Sequence, residues 1–171
     1  TGLPSGVVPE VRSQEAGIAL RRSGYTGKIT LNGKNFNAYS GTQFAVGEFT
    51  YQVISDDEVA VITYVSSYAH EDVVIPSTVT NEGDGKTYTV TAIYDRVFYN
   101  RYDLKHIQLP DTITYVGDNA FGGITEATYI NIPAGLEEAR DFAFANAGGY
   151  PNPKPWEIDT LTLSGNMRYW G

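Results

Sequence analysis

A chain of 171 residues, 42% hydrophobic with 18 Gly and 8 Pro, has the size of one turn-rich globular domain, or of a domain with an appendage. Its net charge of −8 argues against nucleic acid and anionic lipid as partners, and no apolar run reaches the ~20 residues that cross a bilayer. With zero Cys, disulfides, cysteine-ligated zinc and thiol catalysis are excluded.

Residues 1–48 read as an N-terminal extension. Thr1, standing where a Met would, is expected to be a processed or engineered start, and residues 1–12 an extended or disordered leader. SQEAGIALRR (13–22) predicts a short helix capped by Ser13, weakened by Gly17. KITLNGKNFNAY (28–39) predicts a β-hairpin turning at Asn32-Gly33. EFTYQVISDDEVAVITY (48–64) gives two alternating runs around SDDE (55–58), a hairpin over 49–64 expected to cover the open end of the remaining chain.

That remaining chain is built from a repeat. Asp95, Asp118 and Asp141 recur at one fixed interval, and so do Phe98, Phe121 and Phe144. HIQLPDTITYVGDNAF (106–121) aligns with YINIPAGLEEARDFAF (129–144), matching Ile107, Leu109, Ile113 and Val116 with Ile130, Ile132, Leu136 and Ala139. An earlier copy starts at DVVIPSTV (72–79), carrying Val73 and Ile75, and reaches Ile93 and Phe98 beyond an insertion at NEGDGKTY (81–88). A last copy, TLTLSGNMRYWG (160–171), supplies Leu161, Leu163, Met167 and Trp170. In each copy the alternation at HIQL predicts a half-buried strand, and the proline turns the chain. Ile113 and Val116 then return to the core, either a helical step apart or in an irregular turn. Asp118 is placed to cap a short turn, and Phe121 plugs the interior. A Gly or Asn (Asn100, Gly123, Asn146) closes the unit.

No single copy buries enough apolar surface to stand alone, so copies must stack, Phe on Phe, with their strands pairing into one parallel sheet. The expected fold class is therefore mostly β with short helical turns, a β solenoid of about four coils over 49–171. IPSTV (75–79), LPDTITYVGDNAF (109–121) and IPAGLEEARDFAF (132–144) resemble the BspA-like leucine-rich repeats of bacterial and protozoan surface proteins. Departures from the pattern are Val97 before Phe98, Ser164 for the Pro and Arg140 for the Gly. The resemblance implies a secreted or surface-displayed module for adhesion or binding, with a protein or glycan partner, a host-derived one included. It carries no shared active site and no cofactor.

The chain ends at Gly171, part-way through the last copy, which leaves Leu161, Leu163, Met167 and Trp170 uncovered. Truncation of a longer repeat protein, an upstream element folding over the end, and self-association through the open coil all remain open, truncation first.

Candidate site residues are few. The Asp95, Asp118, Asp141 column could hold a cation, but capping of successive turns is preferred and no metal site is expected. His70 and His106, the only histidines, lack a nucleophile or carboxylate motif, so no catalytic residue is assigned. GDG (83–85) reads as a hairpin turn, without the spacing of a phosphate loop. GGYPNPKPW (148–156) offers Tyr150 and Trp156 either to a partner or to the core. The outward strand positions Asp72, Val74, His106, Gln108, Tyr129, Asn131, Thr160 and Thr162 form a mixed polar face, where a stacked repeat binds. His106, Gln108, Tyr129, Asn131, Tyr150 and Trp156 are thus the expected ligand-binding residues.

Overall fold

The computed structural model describes residues 6–66, 71–147 and 169–170. The elements run β1 (Glu10–Val11), α1 (Gln14–Arg22), β2 (Thr30–Leu31), β3 (Lys34–Asn35), β4 (Gln43–Val46), β5 (Phe49–Val53), β6 (Glu58–Tyr64), β7 (Asp72–Val74) and β8 (Thr78–Asn81). They continue with β9 (Lys86–Ile93), β10 (His106–Gln108), β11 (Tyr115–Val116), β12 (Tyr129–Ile130), β13 (Glu138–Ala139) and β14 (Tyr169–Trp170). The chain is mostly β with one helix among the described residues.

The fixed interval becomes physical stacking. Phe98 and Phe121 lie with ring centroids 5.0 Å apart and planes 7° from parallel, and Phe121 and Phe144 continue the column at 5.3 Å and 6°. Tyr64, from the end of β6, closes this column over Phe98 at 5.1 Å. Phe98 and Phe121 are fully buried with Ile75, Ile93, Ile107, Leu109, Ile113, Val116, Ile130 and Leu136 in one core, against which Ile132 and Phe144 pack while partly buried. Leu161 and Leu163 lie outside the described residues.

The strands form two parallel ladders instead of the single sheet expected from the HIQL strands. One has the order β12-β10-β7, with Ile107 facing Val73 and Ile130. The other lies in the run β14-β13-β11-β9-β6-β5-β4, parallel from β14 to β6 and antiparallel on through β5 and β4, in which Val116 pairs with Ile93 and Ala139. The stretch Ile113–Val116, expected as a helical step or irregular turn, instead ends in strand β11. Pro110 redirects the chain without stopping it, and beyond the turn Thr114 N donates to Thr91 O, starting a second set of bonds to the preceding copy.

The phenylalanine-bearing turns are tied together as well. Phe98 N donates to Ala120 O and Asn100 N to Gly122 O, and in the next copy Phe121 N donates to Ala143 O. Asp95 does not cap its own turn as expected: its Oδ1 accepts from Asp118 N at 3.0 Å, 23 residues on. Asp111 Oδ1 likewise accepts from Ala134 N at 3.0 Å, also 23 residues away. These carboxylates join neighbouring copies, because a flat stacked turn points its free N–H groups at the copy below. Asn100 and Asn146 close their turns at φ 57 and 53.

The extension folds on the repeats. Ser13 caps α1, its side chain accepting from Ala16 N at 3.1 Å. Gly17 has a positive role: a Cβ there would lie 2.4 Å from Phe36 Cε1, so only Gly lets the helix approach the hairpin strand this closely. β2 and β3 form the expected hairpin, with Asn32 and Gly33 at φ 52 and 76. Part of the leader is strand, not irregular chain, since β1 pairs in parallel with β2. A strand missed in the sequence, β4, adds to β5 on the outer side of the 49–64 hairpin. The NEGDGKTY insertion is a hairpin between β8 and β9.

Candidate functional site

The β7-β10-β12 ladder turns Val73, Ile107 and Ile130 inward and presents Asp72, Val74, His106, Gln108 and Tyr129 to solvent. Val74 is 63% and Tyr129 49% exposed. His106 spans the ladder: its Nδ1 donates to Asp72 Oδ1 at 2.6 Å, and its Nε2 lies 3.2 Å from Thr128 Oγ1. At the start of the same strands Lys105 pairs with Glu71, which holds the ammonium above its ordinary value. The result is a solvated face with apolar and aromatic side chains set among polar ones.

Of the residues expected to bind a ligand, the structure brings His106, Gln108 and Tyr129 onto this one face. Asn131 is differently employed. Its Oδ1 accepts from Leu109 N at 2.7 Å and its Nδ2 donates to Leu109 O at 2.8 Å, so the side chain extends the ladder by one rung. Tyr150, Trp156, Thr160, Thr162 and His70 lie outside the described residues. Among the described residues, no group of three or more His, Asp or Glu is arranged to hold a metal ion.

The second ladder is covered. Ala92, Tyr94 and Tyr115 form a buried cluster with Ile18, Ile29, Phe36, Ala38, Ile54 and Ala60, so the extension lies on this side of the repeats. The Tyr115 hydroxyl donates to Glu15 Oε2 at 3.0 Å, and burial followed by the Glu15 charge pushes this phenol far above its ordinary range. Arg22 joins the two parts through Asp95 at 2.7 Å.

Glu138, in β13, is the buried carboxylate of this interface, 6% exposed. Its Oε1 accepts from Gln14 N at 3.2 Å, and the backbone of Glu15 also donates to it. Ser13 serves Ala16 N, so the first turn of α1 is capped jointly by its own chain and by a repeat more than a hundred residues away. Burial raises the Glu138 carboxyl above its ordinary value, opposed by the Gln14 and Glu15 N–H groups and by Arg140. A cleft of about 300 Å³ beside it, lined by Arg12, Gln14, Lys34, Glu58, Thr114 and Glu138 among others, is thus walled by a helix-capping contact.

Sequence reasoning also missed exposed aromatics on the turns. Tyr99 and Phe142 are 45% and 66% exposed, and with Asn100, Asn119, Asn146 and their neighbours they line a shallow groove of about 410 Å³. The signal was present: Phe142 aligns with Arg96 and Asn119, an aromatic side chain at a position that is polar in the other copies.

Comparison with known proteins agrees with this architecture. Residues 89–152 match the family described as "BspA type Leucine rich repeat region (6 copies)". The chain is similar to the crystal structure of a leucine rich cell surface protein from Faecalibacterium prausnitzii A2-165, with 28% identity and a TM-score of 0.50 over 58% of this chain and 27% of that one. A leucine-rich repeat protein from Bacteroides ovatus aligns at 24% identity and a TM-score of 0.55, over 61% of this chain and 27% of the other, and shares the fold. The T. pallidum leucine rich repeat protein aligns at 27% identity and 0.52, over 61% of this chain and 46% of its own. The chain therefore spans about a quarter of the length of the first two. No curated protein matches the sequence. Among the described residues no helix is long and apolar enough to cross a membrane.

Proposed function

We propose that this chain is a non-enzymatic binding or adhesion module, secreted or held at a cell surface, a reading supported by the match of residues 89–152 to the BspA-type leucine-rich repeat family. Its repeats stack as a β solenoid of about four coils, and the partner is a protein or glycan. The carrying observation is the contrast between ladders: one lies beneath the extension, while the β7-β10-β12 face keeps Val74 and Tyr129 exposed beside His106 and Gln108. A sheet already formed by stacking lowers the ordering cost of binding at such a face. The surface location is supported by the F. prausnitzii relative, itself described as a cell surface protein.

The test is binding of the full chain to immobilised extracellular glycoproteins, intact and deglycosylated, compared with a Val74→Ser/Tyr129→Ser variant. Loss of binding in the variant with an unchanged melting curve is the expected outcome. Equal binding by both would remove this face from the reading. The alternative, a structural subunit that assembles with its own copies through its open C-terminal coil or an N-terminal strand, draws support for the second route from β4, the end strand of its ladder, where Gln43, Ala45 and Val46 are exposed. Light scattering over a dilution series separates the two, since a monomer at every concentration excludes assembly.

A further inference from the structure

The groove on the turns has a lining of unusual chemistry for this chain. In a sequence with 12 basic and 20 acidic residues, no charged side chain lines it among the described residues. Phe142 projects into solvent and makes no ring contact among the described residues, whereas Tyr99 has Arg96 over its ring at 5.7 Å. The groove is also lined by Asn100, Asn119 and Asn146, whose carboxamides have no hydrogen-bond partner among the described residues. Each free carboxamide offers two donors and one acceptor oxygen.

Phe142 also has a left-handed backbone, at φ 58. The aligned Arg96 and Asn119 have the same conformation, at φ 59 and 53, so the turn imposes it. Asn suits that conformation and an aromatic residue does not. A large apolar side chain, exposed and conformationally disfavoured, is not explained by the fold.

We propose that this groove binds a neutral oligosaccharide. A pyranose has an apolar C–H face that an exposed ring can cover, and a rim of hydroxyls that donate to and accept from carboxamides. The described lining offers no charge to select for uronates, sialic acids or sulfated sugars. A peptide strand fits less well, because the turn backbone is already paired between copies, as in Asn100 N to Gly122 O and Gly123 N to Ala145 O. The site is separate from the bare ladder and does not depend on that ladder binding anything.

The experiment is saturation-transfer NMR on the full chain with short uncharged oligosaccharides built on β1,4-glucose, α1,4-glucose, β1,4-mannose and β1,4-xylose. Hyaluronan fragments serve as the charged control. At least one neutral sugar is expected to receive saturation, most strongly at ring C–H protons. Phe142→Asn should weaken it roughly two- to tenfold, the value of one ring contact, without lowering the melting temperature. Tyr129→Ser, on the bare ladder, should leave it unchanged. The proposal is overturned if no neutral sugar receives saturation, if hyaluronan binds as well, or if Phe142→Asn binds unchanged. It is equally overturned if Phe142→Asn abolishes self-association of the chain, since the groove would then be a contact between copies.

Discussion

The two ladders are made from the same copies, one strand apart in each, and end in opposite environments. Along β7, β10 and β12 the outward residues Asp72, His106 and Tyr129 meet solvent. Along β9, β11 and β13 the equivalent residues Ala92, Tyr115 and Glu138 are all buried. Residue type does not separate the two sets, since an exposed tyrosine stands in one and a buried glutamate in the other. What separates them is α1 and its hairpin, packed on one ladder only, which turns a solvated face into an interface. An extension of this kind determines which face of a repeat stack is left open to solvent.

The largest effect should come from the core both ladders share. Phe121→Ala removes the middle ring of the column and is expected to cost ~3–5 kcal/mol in denaturant unfolding. A loss below about 1 kcal/mol would mean that the ladders do not depend on the stack.

The next test acts on the covered ladder. Gly17→Ala drives a methyl group into the Phe36 ring, a clash of ~1–3 kcal/mol against the ~1 kcal/mol that alanine gains in a helix. A net loss of roughly 1 kcal/mol is expected, with amide exchange accelerated in residues 14–38 and unchanged in the β7-β10-β12 strands. Uniform acceleration would show that cover and repeats unfold as one unit.

Glu138 supplies the pH test. Its folded value lies above the ordinary 4.5, so the folded chain holds this proton more tightly than the unfolded chain does. The contribution of the group therefore falls as pH rises from about the ordinary glutamate range through the folded value, and stays low above it. Glu138→Gln keeps an acceptor for Gln14 N without the buried charge. Its stability should match that of the parent in acid and gain on it toward neutral pH, measured by urea unfolding at both. A gap that widens toward acid would reverse the assignment. The smallest effect belongs to the bare ladder, where His106→Ala breaks an exposed pair with Asp72 and should change stability by less than about 1 kcal/mol.

Much of the repeat was legible because its information is local and periodic. Ile107, Val116 and Phe121 recur with their partners at 23 residues, the same separation that the stacked turns and carboxylate bonds show. The hairpin at Asn32-Gly33 and the Ser13 cap are local signals too. Strand β11 was not legible, because two paired residues after a proline turn look like any irregular return to the core. Asn131 resembled a ligand-binding amide for a similar reason: nothing in YINIP tells that its partner is the backbone of Leu109.

The sequence alone therefore determined the interval, the inward positions and the need for copies to stack, since apolar periodicity reports which side chains must leave water. Tertiary structure alone decided that there are two ladders, that residues 10–39 cover one of them, and that Glu138 caps a helix 124 positions away in the chain. Those contacts join segments with no shared period, and their energies come from fitting one surface to another. No window along the chain contains both halves of that fit.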